Sequence, residues 1–154
     1  MDTDLHGRKI VLIGGAGFIG HNLALTLARF GAQVAIIDNL QVNNLLAFAS
    51  ANGDLPNRDL YVRMINQRLD LLRQANIPLH PQDARDYHAL SRILVKIEPQ
   101  VIIHLAAVAH AGTSNKDPYS TFDHSLRTFE NALDYARSGV EQFIYLLVWC
   151  TATS

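Results

Sequence analysis

Apolar and polar positions alternate along the chain in blocks that predict strands and helices in turn. Lys9–Ile13 ends in a continuous apolar run, Ile10-Val11-Leu12-Ile13, and reads as a fully buried strand. A glycine-rich turn follows, then a helical pattern from Asn22 to Phe30 that buries Leu23, Leu25 and Leu27 with the alanines between them. Gly31 stops it. Gln33–Ile37 is a second apolar strand. A short helix is expected over Asn44 to Ala51, a turn-rich break over Asn52 to Asn57, and a longer helix over Arg58 to Ala75. Tyr61, Ile65, Leu69 and Leu72 mark one face of that longer helix. Asn76–His80 reads as a short third strand begun at Pro78, followed by a helix running to Ile97. Gln100–Leu105 is the fourth strand. After a polar loop at 112–117, Phe122, Leu126, Phe129, Leu133 and Ala136 repeat at +4, +3, +4, +3, the spacing of an amphipathic helix, which Gly139 ends. Gln142–Tyr145 opens strand five. Continuous apolar strands alternating with helices predict an α/β fold. The expected form is a Rossmann-like doubly wound parallel sheet, covered on both faces and truncated after about five strands. Its crossovers should be right-handed.

The first turn carries the chemistry. Gly14, Gly17 and Gly20 lie between strand and helix, and the first N–H groups of such a helix point unpaired at the turn. With the positive end of the helix dipole they suit a pyrophosphate. Asp38 ends the second strand, 18 residues after Gly20, about where a dinucleotide site holds its ribose hydroxyls. An ordinary strand–helix turn and a cap for the following helix are the plainer readings of the glycines and of Asp38. The combined spacing favours dinucleotide binding. A carboxylate there repels a 2′-phosphate, which favours NAD over NADP.

Ile13-Gly14-Gly15-Ala16-Gly17-Phe18-Ile19-Gly20, followed by Ile37-Asp38-Asn39-Leu40, resembles the extended short-chain dehydrogenase/reductases. Within them it is similar to the NAD-dependent epimerase/dehydratase family that works on nucleotide sugars. Ile13 stands where that family usually has Thr. The resemblance implies a cofactor site in which Gly14, Gly17, Phe18, Ile19 and Gly20 hold the pyrophosphate and Asp38, with Asn39 beside it, holds the ribose. Asp83, with Ala84, matches the family's adenine-binding aspartate, although Gln82 replaces a glycine; capping of the next helix by Asp83 or Asp86 is the alternative. His104-Leu105-Ala106-Ala107 is similar to the segment that lies beside the pyrophosphate and ribose. His104 itself reads as a packed, hydrogen-bonded core histidine, and His110 is a candidate to face a substrate. The family's Asn-Val-x-Gly-Thr segment reads His124-Ser125-Leu126-Arg127-Thr128 here, and only the threonine agrees.

The totals narrow the picture. The chain has 154 residues, 49% apolar and 18% charged, with a net charge of −1, so no basic excess points to a nucleic acid. No apolar run approaches the ~20 residues that span a bilayer. The acidic start, Met1-Asp2-Thr3-Asp4, lacks a signal-peptide layout, which makes the cytoplasm the expected compartment. The single cysteine, Cys150, excludes an internal disulfide, and the histidines show no metal-ligand spacing. Arg58, Arg63, Arg68 and Arg73 make the 58–75 helix basic, read here as a solvated face. Residues 43–76 are longer than the family usually has, so a family-specific elaboration or an oligomer contact is expected there, and a homodimer is the candidate assembly.

The resembled chemistry needs a Tyr-x-x-x-Lys pair and a serine or threonine. None of Tyr61, Tyr87, Tyr119, Tyr135 or Tyr145 has Lys four residues on. No catalytic residue is assigned. The expected organisation is an NAD(P)-binding domain over 1–145, an aberrant tail over 146–154 and no substrate-binding lobe. One permitted coding of the tail, read two bases later, spells Ser-Ser-Met-Val-Tyr-Gly-Asn-Phe, close to what the family has after strand five. An out-of-frame ending is therefore expected. Two functions remain: the NAD-binding domain of a nucleotide-sugar epimerase/dehydratase, or a non-catalytic dinucleotide-binding or sensing module.

Overall fold

The computed structural model describes residues 4–41, 57–107 and 118–146. The short helix expected at 44–51, the polar loop at 112–117, His110 and the tail beyond Leu146 lie outside these. In chain order the elements are β1 (Lys9–Ile13), α1 (Phe18–Arg29), β2 (Gln33–Asp38), α2 (Arg58–Gln74), β3 (Leu79–Pro81), α3 (Tyr87–Ile97), β4 (Val101–His104), α4 (Pro118–Ala136) and β5 (Gln142–Tyr145). The five strands form one parallel sheet in the order β3-β2-β1-β4-β5.

The apolar runs are buried on both sides because successive side chains of a strand point to opposite faces. Ile10 and Leu12 of β1 and Val34 and Ile36 of β2 pack on one face with Ala24 of α1 and Leu72 of α2. Val11, Ile13, Ala35 and Ile37 pack on the other with Leu90 and Leu94 of α3 and Ala132 of α4. Leu12, Ile13, Ile36, Ile37 and Ile102 are all fully buried, and each such side chain stabilises the fold by about 1.5–3 kcal/mol.

Several boundaries differ from the sequence expectation. Helix α1 begins at Phe18, four residues before Asn22, because Phe18 and Ile19 are helical yet exposed and so lie off the apolar stripe. Strand β3 starts at Leu79; Pro78 precedes it and its carbonyl accepts from Ile36 N at 2.9 Å. On α2, Ile65 and Leu72 are buried but Tyr61 is half exposed.

The largest departure is in α4. Phe122, Leu126 and Leu133 stay exposed, while Thr128 and Ala132 are buried. At about 100° per residue, the buried line through Thr128 and Ala132 lies roughly a quarter-turn from the apolar stripe. Phe129 alone of the stripe's large residues reaches inward, with its ring centroid 4.5 Å from that of Tyr145.

Candidate functional site: the carboxyl ends of β1, β2 and β4

The strand register builds the site. Ile13 of β1 pairs with Ile37 of β2 on one side and with His104 of β4 on the other. The next residue of each strand end, Gly14, Asp38 and Leu105, is therefore carried to the same end of the sheet. The ladder continues one step into the loops, with Gly14 N donating to Ile37 O at 2.8 Å and Leu105 N to Ile13 O at 2.7 Å. Strand order reverses at β1, with β2 on one side and β4 on the other, and that is where open α/β sheets leave a crevice for ligands.

The three glycines have three separate physical roles. Gly14 has φ +78°, and a Cβ there would lie 2.6 Å from Ala106 N, inside the β4 loop backbone. Gly20 packs so closely on Gly15 that a Cβ would lie 2.5 Å from its backbone. Gly17 differs: a Cβ there would meet only Gly14 O, at 3.8 Å, so the space above it is open. Gly17 is also the N-cap of α1, without a side-chain cap, which leaves the first-turn N–H groups at Phe18, Ile19 and Gly20 with no carbonyl four residues back inside the helix. A ring of backbone donors facing open space beside a residue with no Cβ fits a pyrophosphate.

Asp38 lies against this turn. Its Oδ2 accepts from Ala16 N at 2.9 Å and its Oδ1 from Leu40 N at 2.8 Å. Burial pushes the carboxyl above its ordinary range, and the two N–H groups and the Arg68 charge oppose that. Arg68 reaches in from α2 and donates from Nη1 to Ala16 O at 3.2 Å. This corrects the reading of the α2 arginines as one solvated face. Steps of five residues advance roughly 140° around a helix, so the four arginines cannot share a side. Arg73 instead pairs on the surface with Asp70, and Arg63 donates to Asp59 O.

Asp83 and Ala84 follow β3, next to the end of β2, where Gln82 N donates to Asp38 O at 3.1 Å. The Asp83 carboxylate is held by Arg85, with Nη2 2.6 Å from Oδ2 and Nε within 3.1 Å of both oxygens. The Arg85 side chain and the Asn39 amide hold Asp83 below the usual carboxylate range. Arg85 also reaches Asp123 and His124 on α4, both at 3.1 Å. The Arg85 bridge therefore joins the loop after β3 to α4 at Asp123 and His124, a link that no spacing rule in the sequence signals. Asp86, not Asp83, caps α3, accepting from Ala89 N at 2.9 Å.

His104 is fully buried and packed edge-on to Phe129; neither ring nitrogen has a well-aligned partner among the described residues, yet the Thr128 backbone lies close enough to act on the ring as a hydrogen-bond partner. Burial pushes its pKa down to about 4, so the ring is neutral in the folded protein at pH 7. Leu105, Ala106 and Ala107 continue past it into the loop beside Gly14. An open groove lined by Arg85, Tyr87, Phe122, Asp123 and Arg127 runs between the start of α3 and α4, away from the glycine turn.

A model of the NAD dependent epimerase/dehydratase family matches residues 10–151, from β1 through every element of the sheet. The chain belongs to that family. Among curated relatives of this epimerase/dehydratase chain, a UDP-glucose 4-epimerase of Neisseria meningitidis serogroup C is 30% identical over 139 residues, covering 90% of this chain and 36% of the relative. Among solved structures, the Thermus thermophilus UDP-glucose 4-epimerase in complex with NAD superposes with a TM-score of 0.64 at 27% identity, over 88% of this chain and 36% of that one. The Brucella ovis UDP-glucose 4-epimerase in complex with NAD gives 0.64 at 26% identity, over 90% and 35%. The chain thus spans about a third of the length of the relatives it matches.

Proposed function

We propose that this chain is the NAD-binding domain of an epimerase/dehydratase acting on a nucleotide sugar. The observation that carries the reading is the convergence of Gly14, Asp38 and Leu105–Ala106 at one end of the sheet, fixed by the register of β1 with both neighbours. Family membership and the NAD complexes of two relatives support it.

Bound NAD would supply the acceptor for a hydride from a sugar carbon and the donor for its return. The residues of this chain bind and orient it. The N–H groups of Gly17, Phe18, Ile19 and Gly20 face the pyrophosphate. The small residues Ala106 and Ala107 let the cofactor lie close to the β4 loop. The Asp38 carboxylate, already fixed by two N–H groups, accepts from the ribose hydroxyls with its remaining lone pairs and disfavours a 2′-phosphate. Asn39 stands beside that ribose site. Asp83 and Ala84 take the adenine, with the Arg85 bridge fixing the carboxylate in place. No acid, base or nucleophile is assigned to this chain.

The test is calorimetric titration of the chain with NAD and NADP. Asp38→Ala should weaken NAD binding about tenfold or more, the scale of a lost hydrogen bond to a charged group. Its melting temperature should barely change, since a carboxylate costly to bury is removed along with two hydrogen bonds. Unchanged NAD affinity would sink the ribose assignment. A non-catalytic sensing module would share this site. The two readings separate on whether a full-length form reduces bound NAD when given a nucleotide sugar.

A further inference from the structure

Ala16 is held through both of its backbone polar groups, and its carbonyl fixes the peptide that leads to Gly17. Ala16 is fully buried, and its N–H donates to Asp38 Oδ2 at 2.9 Å. Its carbonyl accepts from Arg68 Nη1 at 3.2 Å, 52 residues away on α2. A trans peptide holds its C=O and the following N–H in opposite directions. Fixing Ala16 O on Arg68 therefore aims the Gly17 N–H away from α2, at the cap of α1, where Gly17 has no Cβ and the space is open.

We propose that Arg68 is a positioning residue of the dinucleotide site, which orients the Ala16–Gly17 peptide so that the Gly17 N–H meets the pyrophosphate. This rests on the dinucleotide reading above and extends it to an element outside the glycine turn and the strand ends. Arg68 is half-buried and ties α2, which also packs on α1 and the sheet, to the turn. It has a second effect at the same place. Among the described residues it is the charged group acting on Asp38, whose other partners, Leu40 N, Ala16 N and the Gln82 N–H on its carbonyl, are neutral. A guanidinium suits both tasks, since it donates in a fixed plane and keeps its charge at every working pH.

The test is NAD titration of the whole chain between pH 4.5 and 8, comparing the parent with Arg68→Met and Arg68→Lys, alongside their melting temperatures. Arg68→Met should raise the NAD dissociation constant about tenfold at pH 7.5. It should also move the acid limb of binding to higher pH, because Asp38 loses the cation that favours its ionised form. Arg68→Lys should return the limb to its parental position and restore most of the affinity. A purely structural role would lower the melting temperature of both variants and leave the limb in place. Parental affinity in Arg68→Met, or an acid limb that does not move, overturns the proposal. If Arg68→Met does not fold, Arg68→Gln carries the same comparison, keeping a donor for Ala16 O without the charge. A parent chain that fails to bind NAD overturns the dinucleotide reading and this inference with it; a parent that binds and a variant that binds equally well overturns only the inference.

Discussion

His104 shows how much of a single residue's setting is local to the sequence and how much is supplied by distant elements. Its place at the end of an apolar strand marked it as core, and it is fully buried. What surrounds its ring was invisible, because Phe129, Phe143 and Tyr145 come from two elements far along the chain. The energetic consequence has a definite sign. A ring that titrates near 6.5 when unfolded and near 4 when folded binds its proton more readily in the unfolded state. Stability is therefore full above about pH 6.5 and falls as pH drops towards 4, by at most about 3 kcal/mol. His104→Leu should flatten that part of the stability–pH curve while leaving urea stability at pH 7.5 within about 1.5 kcal/mol of the parent. A steep loss between pH 6.5 and 4 that survives the substitution would place the acid sensitivity elsewhere. The placement of Asp38 against the turn was legible at this scale, because a carboxylate at a fixed distance from a glycine turn is a local signal. Arg68 was not, because nothing in the order of residues says that a helix some 50 positions on will fold back over the turn.

At the scale of elements, the helices divide by how their apolar residues were distributed. For α3, cap and stripe agree: Asp86 accepts from Ala89 N, and Ala89, Leu90 and Leu94 are buried. Asp86→Ala should cost about 1 kcal/mol, seen as a lower urea midpoint at unchanged slope; no change would mean that tertiary packing alone sets the helix start. For α4 the stripe and the buried line diverge. Periodicity gives the direction of an apolar face, but the sheet meets the helix along Thr128 and Ala132, small residues that allow close approach. Among the described residues, Phe122, Leu126 and Leu133 are then left as an exposed apolar face. We propose that a homodimer would use that face. Light scattering tests it. If the chain self-associates, Phe122→Ser with Leu126→Ser should reduce the mass to that of one chain without lowering the melting temperature. Retained mass would assign the contact to another surface.

For the whole molecule, the fold class was readable from strands apolar throughout and separated by helices, a pattern that only a parallel sheet covered on both faces satisfies. The strand order was not, since pairing is decided by contacts distant in sequence. That order makes β1 the centre of the sheet, although it is the first strand in the chain. During synthesis β1 finds β2 almost at once, about 24 residues on, but its other edge must wait for β4, about 90 residues later. At ribosomal speeds of about 5–20 residues per second, the most apolar strand of the protein spends several seconds with one row of N–H and C=O groups unpaired. Nascent chains stalled just short of β4 should therefore recruit holdase chaperones or aggregate, while chains released after β5 should not, a contrast that ribosome-bound pull-downs at the two lengths would reveal. The same centrality that places the glycine turn between two strand ends thus gives the earliest strand of the chain a long wait for its second neighbour.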